Sequence, residues 1–184
     1  MRCAVDIAPV RAQPDDDAEQ VTQALRGEPL EVDEQRGEWA RVRTAYGYPG
    51  WVREAALEPG EGALVADAAG SPVEVARSYL GTPYLWGGMT QAGIDCSGLV
   101  HMSFRRIGQL VPRDADQQEE AGQERSEPEA GDLVTYGEEA ADHIAFWVGD
   151  GRILHSTGRD GGIGVIEEEE PAYLYARRRK IVRL

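Results

Sequence analysis

Gly93-Ile94-Asp95-Cys96-Ser97-Gly98-Leu99-Val100 is the stretch where a loop becomes a helix, with a cysteine at the changeover. Leu99, Val100, Ser103, Phe104 and Ile107 continue it as a stripe at helical spacing. This predicts a helix from about Cys96 to Ile107, stopped by Gly108. Upstream, Ser71-Pro72-Val73-Glu74 has the marks of a helix start: Ser71 at the cap, Pro72 at the first helical position and Glu74 closing a capping box. Val73, Ala76 and Leu80 keep the helical spacing, and Gly81-Thr82-Pro83 ends it. Beyond Gly131 the period shortens. Strands are expected at Asp132–Tyr136, His143–Val148, Arg152–His155, Ile163–Ile166 and Lys180–Leu184, with Gly149-Asp150-Gly151 as a hairpin turn. Helices followed by a run of strands predict an α+β domain, with helices packed on an antiparallel sheet.

The first third of the chain has a different texture. Glu28-Pro29-Leu30-Glu31-Val32, Trp39-Ala40-Arg41-Val42-Arg43 and Gly50-Trp51-Val52 are short runs separated by turn residues, the second alternating cleanly. They read as a small all-β barrel over 1–60, without a helix. Glu58-Pro59-Gly60-Glu61-Gly62 opens a linker, taken as 61–70, and the α+β domain is expected over 71–184.

With 184 residues, 41% hydrophobic and 28% charged, the chain has the composition of a globular protein. A net charge of −14 argues against a nucleic-acid partner, because phosphate binding needs a basic stripe. The one basic run, Arg177-Arg178-Arg179-Lys180, reads as a solvated strand edge or turn, partly balanced by Glu167-Glu168-Glu169-Glu170. No apolar stretch reaches the roughly 20 residues of a membrane span, so no membrane partner is expected. The N-terminus carries Asp6 and no apolar core, unlike a signal peptide. A cytoplasmic location and two free thiols follow as expectations, unless a leader has been removed, with no role for Cys3.

Amide N–H groups at a helix start and the helix dipole favour a thiolate, so Cys96 is a candidate nucleophile. The same amides can donate to a developing oxyanion, and the small Ser97 and Gly98 let a substrate backbone come close. The bland alternative is a buried structural cysteine. The histidines bear on that choice. His143 opens one apolar strand and His155 lies near the end of the next, so a hairpin can set their rings side by side. His143 would then take the thiol proton and His155 would orient it. His101 lies about 140° round the helix from Cys96 and is expected on the surface or at an edge. A metal site of Cys96, His143 and His155 is the rival. Ligand type is its only support, so neither metal nor cofactor is expected.

Several motifs together resemble the NlpC family of bacterial cell-wall cysteine peptidases. They are Tyr84-Leu85-Trp86-Gly87-Gly88, Asp95–Val100, Pro112-Arg113-Asp114, Gly131-Asp132-Leu133, His143-Ile144-Ala145 and Ile153-Leu154-His155-Ser156. They come in the family's order and cover most of 71–184. The resemblance implies a papain-like α+β domain and the triad roles for Cys96, His143 and His155. Tyr84, Asp95, Ser97 and Arg113 match residues that line the cleft or orient the γ-D-glutamyl carboxylate.

Tyr48-Pro49-Gly50-Trp51-Val52 looks like the strand motif of the bacterial SH3-like modules that one subgroup joins to this domain. That subgroup cleaves between D-glutamate and the diamino acid of murein peptides. Relatives can carry a second such module, and this chain has room for one. The resemblance implies that Tyr48, Asp114 and Glu19 bind the free amine of the substrate's L-Ala. The expectation is therefore a monomeric, cofactor-free endopeptidase that recycles murein peptides. Its rivals are a hydrolase of assembled cell wall anchored by the SH3-like module, a silent peptide-binding protein, and a thioester-type acyltransferase.

Overall fold

Burial along Trp39–Thr44 follows the strand period, with Ala40 and Val42 fully enclosed and the arginines between them exposed. The computed structural model to which this strand belongs describes residues 1–184 apart from the side chain of Asp160. The chain divides into two compact units, Met1–Val65 and Ala66–Leu184. The first holds β1 (Arg2–Cys3), β2 (Ile7–Arg11), β3 (Gln20–Leu25), β4 (Leu30–Arg36), β5 (Trp39–Thr44), β6 (Pro49–Arg53) and β7 (Leu57–Glu58). Five strands pair antiparallel in the order β3-β2-β6-β5-β4, an open order among the described residues, and β1 pairs with β7. Val10, Ala24, Leu30, Ala40, Val42 and Val52 build its core together with Cys3, whose thiol donates to Val5 O at 3.3 Å. A single 3-10 turn, Glu54–Ala56, interrupts the strands. The expected linker is shared out: Ala63 N–H donates to Gly27 O in the first unit, and Ala68 N–H to Arg106 O in the second.

The second unit is α+β. It contains α1 (Pro72–Arg77), β8 (Met89–Thr90), β9 (Gly93–Ile94), α2 (Cys96–Arg105), α3 (Ala115–Ala121), β10 (Gln123–Arg125), β11 (Leu133–Tyr136), β12 (His143–Gly149), β13 (Arg152–Thr157), β14 (Gly164–Glu169), α4 (Ala172–Tyr175) and β15 (Arg178–Arg183). The capping box at α1 is formed: Ser71 Oγ accepts from Glu74 N–H and the Glu74 carboxylate from Ser71 N–H. Six strands run in the order β10-β15-β11-β12-β13-β14, every pair antiparallel. Every residue of α2 is buried, so this helix is the filling between α1 and the sheet and not a surface amphipath. Phe104 stacks on Phe146 of β12 at 6.2 Å, which locks the helix to the strand that begins at His143. The turn between β12 and β13 places Gly149, Asp150 and Gly151 all at positive φ, as a tight hairpin requires.

One expectation is corrected. His101 is 0% exposed and not on the surface, because the loop after α2 folds back and the ring's Nδ1 meets Val111 O at 2.9 Å. The basic run begins in a turn at Arg177 and enters β15 where β11 pairs with it at Arg178, while the pairing with β10 covers Ile181–Arg183. Its charges reach acids elsewhere, Arg177 to Asp142, Arg178 to Glu170 and Arg179 to Glu119.

Candidate active site

Asp95 is the N-cap of α2. Its Oδ1 accepts the Gly98 amide at 2.6 Å and its Oδ2 the Gly87 amide at 2.7 Å, tying the preceding loop to the helix start. Arg113, 1% exposed, closes this cluster from the other side. Its guanidinium donates to Asp95 Oδ1 at 3.0 Å and Oδ2 at 2.8 Å, to Ser97 Oγ at 2.9 Å and to Gly88 O at 3.3 Å. Gly98 has to be glycine for this reason. A Cβ there would sit 2.3 Å from Gly88 O, so its smallness serves loop packing. Asp95, Ser97 and Arg113 thus act on one another first. Removing one partner of such a buried pair strands the other charge, at a cost of about 3–5 kcal/mol. Arg113→Ala is therefore expected to lower the melting temperature sharply. A variant that melts like wild type would contradict this structural role.

Cys96 is the first residue of α2 and 7% exposed. The amides of Gly98 and Leu99 are spent on Asp95, and those of Cys96 and Ser97 begin the helix, the latter beside the thiol. The register pairing Phe146 with Leu154 continues to set Ala145 opposite His155, putting His143 on its diagonal and on the same face. The rings meet edge to face, with His143 Nε2 2.8 Å from His155 Nδ1. One strand further, His155 pairs with Ile166, so Glu168 takes the same diagonal, and its Oε1 lies 3.1 Å from His155 Nε2. Arg159, in the 3-10 turn Arg159–Gly161, donates to both Glu168 oxygens at 3.1 Å. Sequence reading missed Glu168, hidden as one acid in a run of acids. The one available signal was its strand parity with His155.

Burial, then the neighbouring Asp95 carboxylate, pushes the Cys96 thiol up to about 12, while the backbone amides of Ile144 and Ser97 act to lower it. At this thiol the helix start is opposed by burial and by its own capping carboxylate. Burial, with His155 next, pulls His143 down to about 3, although its ring keeps some access to water, which tempers the shift. Burial thus disfavours each charge taken alone. The Ile144 amide beside Cys96 belongs to the residue that follows His143, which puts the start of β12 at the thiol. Burial acts to raise the Glu168 carboxyl, but the hydrogen bonds from Arg159 and His155 prevail and hold it below its usual range.

Tyr84 is half-buried, and its phenol is pushed upward by burial and then by the charges of Cys96 and Asp95, which places it in the same cleft. Asp114 caps α3 without a side-chain bond to the helix amides. Tyr48 and Glu19 belong to the first unit. Tyr48 directly precedes β6 with its ring beside Tyr46, and the exposed Glu19 directly precedes β3.

His101, His143 and His155 are all held neutral by burial, the first two down to about 3. The unfolded chain takes up these protons near pH 6.5, so it binds more protons than the folded one between about pH 6.5 and 3, and stability falls as pH falls through that window. Thermal melts from pH 7 to pH 5, above the carboxylate range, are expected to show this decline. A flat melting temperature there would contradict it.

Residues 81–182 match the NlpC/P60 family, and residues 10–57 match the bacterial dipeptidyl-peptidase Sh3 domain. A gamma-D-glutamyl-L-lysine dipeptidyl-peptidase of Bacillus cereus is 28% identical over 76% of this chain and 45% of its own length. One of the same name from Bacillus subtilis is 36% identical over 55% of this chain and 36% of its own. The chain thus matches less than half the length of these curated relatives. A solved NlpC/P60 family protein from Bacillus cereus, 23% identical, shares the fold at a TM-score of 0.56 over 99% of this chain and 62% of that one. With more than half of its length matched, the chain belongs to the NlpC/P60 family.

Proposed function

We propose that this chain is a cysteine endopeptidase that hydrolyses the γ-D-glutamyl–diamino acid bond of murein peptides bearing a free N-terminal L-Ala. The observation that carries the chemistry is the 2.8 Å contact between His143 Nε2 and His155 Nδ1, formed on the strand whose next amide meets Cys96. Because Nε2 is held by His155, the nitrogen left to take a proton is His143 Nδ1. On this reading the Cys96 proton passes to Nδ1 as the sulfur attacks the γ-glutamyl carbonyl, and the amides of Cys96 and Ser97 meet the oxyanion. The imidazolium then protonates the departing amine and leaves a thioester. Water, deprotonated by the same nitrogen, releases the acid and frees the thiol. No step calls for a cofactor.

The bond assignment is supported by the names of the Bacillus relatives and by the paired family matches. The amine preference follows from the family resemblance, which assigns Tyr48, Glu19 and Asp114 to the amine, and a desolvated ammonium needs acids and acceptors. An enzyme with this preference would spare intact wall, where the L-Ala nitrogen is an uncharged amide, and so suits recycling in the cytoplasm, as a monomer. Mass spectrometry of products from L-Ala-γ-D-Glu-diaminopimelate is expected to show L-Ala-D-Glu and free diaminopimelate. An uncut peptide, or cleavage at another bond, would overturn the assignment.

A further inference from the structure

We infer that Glu168 is a positioning residue of this reaction, fixing the proton arrangement of both histidines through its bond to His155. The chain of contacts runs through three strands. Glu168 Oε1 on β14 lies 3.1 Å from His155 Nε2 on β13, and His155 Nδ1 lies 2.8 Å from His143 Nε2 on β12. An ionised carboxylate only accepts, so the nitrogen facing it has to carry the hydrogen. His155 is then the Nε2–H tautomer, its Nδ1 is a bare acceptor, and His143 has to carry its own hydrogen on Nε2. That leaves His143 Nδ1 unprotonated, which a base for the Cys96 thiol requires. The opposite tautomer of His155 would set its bare Nε2 against the carboxylate, lone pair against lone pair. His155 is 0% exposed, so water cannot relieve that conflict.

Arg159 makes the device dependable. Its two bonds to Glu168 keep the carboxylate charged and aimed, and its guanidinium packs 6.0 Å from the Tyr173 ring. Once His143 takes the thiol proton, the imidazolium has Glu168 behind it through one neutral ring. The charged and titratable groups facing this chain are Cys96 from α2, Tyr136 from β11, its ring 5.7 Å from His143, Arg177 before β15, and Arg159. Glu168 is the acid that meets a histidine ring of this chain. The role rests on the peptidase reading for its chemistry, but neither test below uses a murein peptide, so the two stand or fall separately.

Nitrogen-15 NMR of histidine-labelled full-length protein reads the tautomers directly. At pH 7 the wild type is expected to show both His143 and His155 protonated at Nε2 and bare at Nδ1. A proton on His155 Nδ1 would overturn the proposal, whatever any variant does. In Glu168→Leu the His155 signals are expected to shift toward the other tautomer, and alkylation of Cys96 by iodoacetamide at pH 7 to slow by about tenfold or more. Glu168→Gln, which can still accept, should recover part of that rate. A folded Glu168→Leu with wild-type tautomers and a wild-type alkylation rate would reduce Glu168 to a surface acid.

Discussion

Cys96→Ala is expected to abolish hydrolysis of the peptide while leaving the protein folded. Alanine is the best helix former, and position 96 is the first residue of α2, where the side chain carries none of the bonds that hold the loop. Those belong to Asp95 and Arg113, which remain in place. Without the sulfur no thioester can form, and a loss in kcat of about ten-thousand-fold or more is the scale for removing a nucleophile. His143→Ala should cost nearly as much, and the double variant little more than either, because groups that act as a unit are not additive. His155→Ala should leave a measurable remnant, since it orients the base and does not react. Steady-state rates for the four variants decide this. Wild-type turnover by Cys96→Ala would remove the thiol from the mechanism altogether.

The second large effect is on the substrate. Acetylating the L-Ala amine removes its charge and adds bulk, so acids arranged for an ammonium lose their partner. Hydrogen bonds to charged groups are worth roughly 1.5–3 kcal/mol each, so two lost contacts predict a fall in kcat/KM of about a hundredfold or more. Asp114→Asn should shift the same ratio in the same direction by less. An enzyme of assembled wall, with the first unit as an anchor, would cut both peptides equally well. Competition of free and acetylated peptide in one tube, followed by mass spectrometry, separates these outcomes.

The parts of the fold legible in the sequence are those where local chemistry and burial agree. Ser71, Pro72 and Glu74 announce α1 because a capping box is a local device, and the apolar Leu99, Val100 and Phe104 of α2 and Ile144, Ala145 and Phe146 of β12 are buried in the fold. α3 was missed because its inward face, Ala115, Gln118 and Glu119, is mostly polar and shows no hydrophobic period. Those polar groups are bonded instead, Gln118 to Ser97 O and Pro112 O, Glu119 to Arg179. β15 is legible too, as the strand expected at Lys180–Leu184. Its Arg178 and Arg179 stems are half-buried with their heads on acids of other elements, and the sequence does not show which acids those are. The histidine pair could be foreseen from the hairpin between the two strands. Glu168 could not be singled out, because three flanking glutamates share its chemistry and only the register with β13 separates them.

The same distinction applies to the thiol. Position in sequence suggested a lowered Cys96, whereas burial and Asp95 raise it, so reactivity has to come from His143 acting as a base during attack. Alkylation with iodoacetamide near pH 6.5, mapped by peptide mass spectrometry in wild type and His143→Ala, tests that directly. Cys96 is expected to be labelled much faster than Cys3, which lies in the core of the first unit with its thiol raised by burial, and to lose that advantage in His143→Ala. Equal, slow labelling of both cysteines, or unchanged labelling of Cys96 without His143, would contradict an activated nucleophile at this site.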